Sequence, residues 1–101
     1  MIIVAGTARV SPGALERAQG AMQRVIAATR RESGCLFYSY GVDVTAPDTI
    51  LILEYWKDTA ALKSHFAEPH IAEWMKTIGE IGVLSQDIKV FEVAGERPLA
   101  V

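Results

Sequence analysis

The sequence predicts an α+β protein of βαββαβ order, a split βαβ sandwich in which an antiparallel four-stranded sheet carries its helices on one face. Three observations predict it. Apolar and β-branched runs at Ile2–Val10, Cys35–Val44, Thr49–Lys57 and Gln86–Val93 supply four strands. Helical spacing fills the first and third intervals, whereas only the turn segment Thr45-Ala46-Pro47-Asp48 fills the second, so the middle strands form an antiparallel hairpin. With 101 residues and no linker-like stretch, residues 1–101 are expected to form one domain with 94–101 as an irregular tail.

In the first strand Ile2, Val4, Ala8 and Val10 share one face, while Ile3 and Ala5 make the other face partly apolar as well. Ser11-Pro12 is a helix-start signal, because serine can cap and proline lacks only a donor that would be unpaired anyway. Leu15, Ala18, Met22, Val25, Ile26 and Thr29 then repeat at helical spacing, and Gly34 is expected to supply a left-handed stop. Strand two places Leu36, Tyr38, Tyr40, Val42 and Val44 on one face and Phe37, Ser39 and Asp43 on the other. Strand three sends Ile50, Ile52, Glu54 and Trp56 one way and Leu51, Leu53 and Tyr55 the other. Asp58 caps a helix running to about Ala67, and Glu68-Pro69 breaks it. Ile71, Trp74, Met75 and Ile78 mark a further short helix, ended by Gly79 and Gly82.

Composition excludes several function classes. A formal charge of −2 offers no basic footprint for nucleic acid and no field for an anionic membrane. The apolar N-terminus is too short to span a bilayer and lacks a basic leading segment. One cysteine, Cys35, allows neither an internal disulfide nor a metal cluster of its own, which fits a reducing cytoplasmic setting. Half the residues are hydrophobic, and two strands are apolar on both faces. Helices can cover only one face, so the other is expected to meet a second copy of the chain in a homodimer.

Both histidines and both tryptophans lie between Ile50 and Gly79. His65 follows Ala61 and Leu62 by four and three residues, so it shares their apolar face and points inward. It reads either as a packed core histidine or as a base able to take a phenolic proton, because imidazole titrates near neutrality as a class. Trp74 reads as core or as a flat wall for an aromatic ring. Tyr38 and Tyr40 read as members of a stacked cross-strand pair or as donors to a substrate oxygen. Glu54 is the nearest carboxylate candidate, a partner for a histidine or for an arginine. His70 follows a proline and begins the second helix or joins the site. The five-residue spacing of His65 and His70 crosses a helix break, so no metal is expected to be required.

The run Arg31-Glu32-Ser33-Gly34-Cys35-Leu36 resembles the antibiotic biosynthesis monooxygenase (ABM) domain family, as do Glu54-Tyr55-Trp56-Lys57-Asp58, Ala61-Leu62-Lys63-Ser64-His65-Phe66 and Pro69-His70. Its quinol monooxygenase-like members share an E-x-W strand end and an H-x-x-x-P-H segment, and the resemblance spans roughly Ile2 to Val93. It implies a ferredoxin-like domain paired as a dimeric α+β barrel. It further implies a cofactor-independent monooxygenase that oxidises a quinol or another electron-rich phenol with O2, with His65 catalytic. Trp74, Tyr40, Tyr38, Glu54, Phe66 and His70 are then the substrate-binding candidates. Alternatives in the same fold are haem breakdown and non-catalytic small-molecule binding. The haem branch resembles a pattern with Asn on strand one and Trp at the place of His65, where this chain has Thr7 and a histidine. An isomerase acting on a hydroxy-ketone phosphate lacks a phosphate-binding glycine loop here.

Overall fold

The computed structural model describes residues 1–100. Its elements are β1 (Ile2–Val10), α1 (Ala14–Thr29), β2 (Cys35–Asp43), β3 (Ala46–Trp56), α2 (Thr59–Phe66), α3 (Pro69–Ile81) and β4 (Val83–Glu92). The strands form one antiparallel sheet in the order β2-β3-β1-β4. This is the ferredoxin-like α+β arrangement that the alternation of strand and helix signals predicts.

The helices cover one face of β1 and β3. Ile2, Val4, Ala8 and Val10 are buried there, with Ile50, Glu54 and Trp56 beside them. One core cluster gathers Val10, Ala14, Ala18, Val25, Ile50, Ile71, Trp74 and Ile81 between the sheet, α1 and α3. A second holds Ile2, Val4, Tyr38, Trp56 and Leu62 under α2. The opposite face stays apolar and open: Phe37, Leu51, Leu53 and Phe91 are each one third to one half exposed. Phe37 and Tyr55 pack on that side with ring centroids 5.0 Å apart. β4 is exposed along nearly its whole length, because no helix reaches over it.

Several local expectations are corrected. Ser11 does not cap α1. The chain first makes a turn in which the Ala14 N–H donates to the Ser11 carbonyl, and Gly13 is the cap in a left-handed conformation, φ 77°. Gly34 is not a left-handed stop, since among the described residues only Gly13 and Gly82 have positive φ. Its role is space: a Cβ at Gly34 would lie 2.3 Å from the Ala61 Cβ, so the absent side chain lets α2 sit on the strand entry. Leu36 and Val42 are more than half exposed, although their parity is that of buried Tyr38. Register shifts at Cys35/Phe37 and Val42/Asp43 interrupt the pairing at both ends of β2, where simple alternation of faces no longer holds. The hairpin turn is Val44-Thr45, earlier than the Pro47 signal, and it is held by Asp43 Oδ1 accepting from Thr45 N and Oγ1. Gly79 lies inside α3, which runs on to Ile81, and β4 begins at Val83.

Candidate functional site

The helix break after α2 brings the chemistry together. Asp58 caps α2 by accepting from Ala61 N at 2.8 Å, which fixes the rotation that turns Leu62 and His65 inward. Ala67 N and Glu68 N donate to the Ser64 and His65 carbonyls, closing the helix end. Pro69 then starts α3 at a position where its missing N–H is harmless. The chain folds back so that His70 faces His65 across 6.1 Å between ring centroids. A sequence break thus unites the two imidazoles where spacing alone implies separation.

Their shared partner is Glu32, in the connection 30–34 between α1 and β2. Glu32 Oε2 is 2.7 Å from His65 Nδ1 and 2.8 Å from His70 Nε2. A carboxylate oxygen accepts, so both ring nitrogens donate, which assigns the proton of neutral His65 to Nδ1. Nε2 of His65 is left as an acceptor. The connection itself is anchored by Glu32 N to the Thr29 carbonyl, Cys35 N to the Glu32 carbonyl, and Arg30 Nε to the Tyr38 carbonyl.

His65 forms part of the wall of a cavity of about 280 Å³ between the sheet and helices α2 and α3. Most of the wall is aliphatic, from Val4, Ile50, Ile71 and Ile78, and its polar groups come from His65, Glu54, Tyr38, Tyr40 and Gln86. Trp56, fully buried, packs 4.5 Å from His65 centroid to centroid and fixes the ring from the sheet side.

Five of the six substrate-binding candidates line this space: Trp74, Tyr40, Tyr38, Glu54 and Phe66. The sixth, His70, does not; it stands behind His65 on the Glu32 side. Tyr38 and Tyr40 are neighbours on one strand, not a cross-strand pair, and their hydroxyls hydrogen-bond each other at 2.5 Å. Burial pushes the Tyr38 phenol far up and the Tyr40 phenol up to about 12, so both stay protonated donors at neutral pH. Tyr40 also stacks obliquely on Trp74 at 6.0 Å.

Glu54 is neither a histidine partner nor an arginine partner. Its Oε1 accepts from Trp56 Nε1 at 2.9 Å. Burial first, and Glu32 second, push its carboxyl up to about 7, although the Trp56 bond works in the other direction. Thr7, the position compared with the haem pattern, is exposed and is not part of the cavity wall. The residues missed by pattern reading are Glu32, Trp56 and Gln86. Glu32 lies in the Arg31–Leu36 run, but nothing local marks a loop carboxylate as the partner of histidines 33 and 38 residues away.

The profile of the antibiotic biosynthesis monooxygenase family matches residues 1–77, which include every residue named for the site except Ile78 and Gln86. The chain belongs to this family. A Synechocystis protein of uncharacterised function (sll1783) is 32% identical over 98 residues, covering 97% of this chain and 67% of that protein. The Escherichia coli K12 protein named probable quinol monooxygenase YgiN is 26% identical over 102 residues, covering 91% of this chain and 97% of its own. A crystal structure from Deinococcus radiodurans, provisionally assigned as an antibiotic biosynthesis monooxygenase, superposes with a TM-score of 0.88 at 26% identity and covers 100% of both chains. ABM membership places the chain among monooxygenase-like proteins.

Proposed function

We propose that this protein is a cofactor-independent monooxygenase that oxidises a quinol or another electron-rich phenol with O2. The observation that carries the reading is His65 on the wall of an apolar cavity, with one ring nitrogen held by Glu32 and the other left as an acceptor. The volume exceeds the roughly 150 Å³ of a dry engineered cavity that takes up benzene. A single phenolic ring therefore fits, and Trp74 offers it a flat face. The E. coli relative's name points to the same substrate class.

In this reading His65 Nε2 accepts the phenolic proton, and Glu32 stabilises the imidazolium that forms, as an oriented carboxylate does in a catalytic dyad. The Tyr38–Tyr40 hydroxyl pair donates to the phenolate, whose charge is costly in a dry site unless a donor meets it. The phenolate is a strong enough reductant to pass one electron to O2. Superoxide and the organic radical then join at a ring carbon. Loss of the ring proton and cleavage of the O–O bond leave one oxygen in the product and the other in water. For a simple hydroquinone, one quinol and one O2 give one hydroxyquinone and one water.

Oxygen uptake with a reduced hydroquinone, using chelator-treated protein, tests this. His65→Ala is expected to fall to the uncatalysed rate of autoxidation; turnover at the wild-type rate would show that His65 is not the base. Glu32→Gln keeps a hydrogen bond but not the charge, and kcat is expected to drop by about 100-fold. Residues 1–101 would act as one cytoplasmic domain, working as a homodimer through the open sheet face. Exposed Phe37, Leu51, Leu53 and Phe91 support that assembly.

A further inference from the structure

The Glu32–His65–His70 cluster also has a chemistry that proton transfer does not use. We propose that Glu32 Oε2, His65 Nδ1 and His70 Nε2 bind a divalent transition-metal cation of the zinc type, and that filling this site switches His65 off as a base. The second half rests on the reading of His65 given above; the first does not.

Three elements deliver one ligand atom each: the 30–34 connection and, on either side of the helix break, α2 and the first turn of α3. These atoms all lie within 4.8 Å of one another. Tetrahedral zinc with bonds near 2.0–2.1 Å holds its ligands roughly 3.3 Å apart, so the two N···O distances must open by roughly half an ångström and the two nitrogens, which lie within 4.8 Å, must come to the same spacing. Glu32 sits in a connection rather than in a helix or strand, where such a shift is easiest. The side chains of His65, Glu32 and His70 are 3%, 12% and 19% exposed. The site is therefore screened from bulk solvent, and His70 forms its approach. Two imidazoles and one carboxylate suit zinc, cobalt, nickel or copper and disfavour magnesium or calcium, which prefer all-oxygen shells. Three protein ligands leave a fourth position for water.

The consequence for His65 follows from its tautomer. A metal takes the lone pair at Nδ1, so the proton of the neutral ring moves to Nε2, with no net proton released. Nε2 then has an N–H instead of a lone pair, and it cannot accept a phenolic proton. Metal uptake and base function are mutually exclusive on one imidazole.

Titration of the wild-type protein with Co2+, followed by visible absorption, is expected to show one saturable site from which Zn2+ displaces cobalt. His70→Ala should weaken binding by more than the roughly 10–100-fold that follows loss of an outer-sphere partner. No saturable absorption in the wild type, or equal affinity in His70→Ala, overturns the site. X-ray absorption of zinc-loaded wild type decides the ligands even if the variant does not fold: two imidazole nitrogens are expected, and none would refute it. The switch is read from histidine nitrogen NMR shifts, which should place the His65 proton on Nε2 in the zinc form; a proton still on Nδ1 overturns it. Zinc should also halt oxygen uptake, with recovery on adding chelator. Absence of uptake without metal would count against the quinol reading alone, because the cobalt and NMR results do not depend on turnover.

Discussion

Glu54 is the side chain whose surroundings most oppose its ordinary charge. It lies in the sheet face under α2, buried, with one indole N–H as its hydrogen-bond donor. Its carboxyl, pushed up to about 7 mainly by burial, binds a proton in the folded state at pH values where the unfolded chain has already released it. Stability linked to this group is therefore complete below about pH 4.5 and is lost as pH rises towards 7. Glu54→Gln keeps an acceptor for Trp56 and removes the titration. It should unfold at nearly the wild-type temperature at pH 4.5 and be more stable than wild type at pH 8, by on the order of 3 kcal/mol. Thermal melts at the two pH values check this, and equal differences at both would contradict it. At this scale the sequence was legible where periodicity operates. His65 points inward because it shares a face with Leu62, and Ile50, Glu54 and Trp56 share one strand parity. Glu32 was not legible, because its bonds to His65 and His70 exist only after α1, α2 and α3 have packed.

Among the elements, the pair α2 and α3 shows how a stop signal can be constructive. Pro69 ends one helix and opens the next, and the reversal it causes sets His70 against Glu32. The seat of α2 depends on Gly34, whose missing side chain admits Ala61. Gly34→Ala would overpack that contact and is expected to cost about 1–3 kcal/mol. At about 4–8 °C per kcal/mol for a chain of this length, the loss is readable by differential scanning calorimetry, and an unchanged melting temperature would mean that α2 shifts freely. The Asp58 cap and the Pro69 start were readable from local chemistry alone. The start of α1 was not: Ser11-Pro12 has the residues of a cap, yet Ser11 N instead donates to the Gly82 carbonyl, tying the end of β1 to the α3–β4 corner. A long-range bond took precedence over a local preference.

Across the whole molecule, the helix layer covers one face of the sheet, while the other presents aromatic and aliphatic side chains to solvent. Among the described residues no helix is long and apolar enough to cross a membrane, so that face is not accounted for by a helical span. Homodimer formation through it predicts that the wild type sediments at twice the chain mass and that Leu51→Asp with Leu53→Asp sediments as one chain. A wild type that stays a single chain at micromolar concentration would reject the assembly. The α+β order was legible because each helix–strand alternation left its own periodicity. The cavity was not, because its volume depends on how far α3 stands off the sheet, which no local pattern encodes.

β4 pairs with β1 on one side only, and its other edge is the margin of the sheet. The same strand gives Gln86 and Ile88 to the chamber that holds His65. One wall of the chamber and the free hydrogen-bonding margin of the sheet are thus the same strand. A chain that added itself to that margin would therefore bear on the wall beside His65, coupling growth of the sheet to the shape of the chamber.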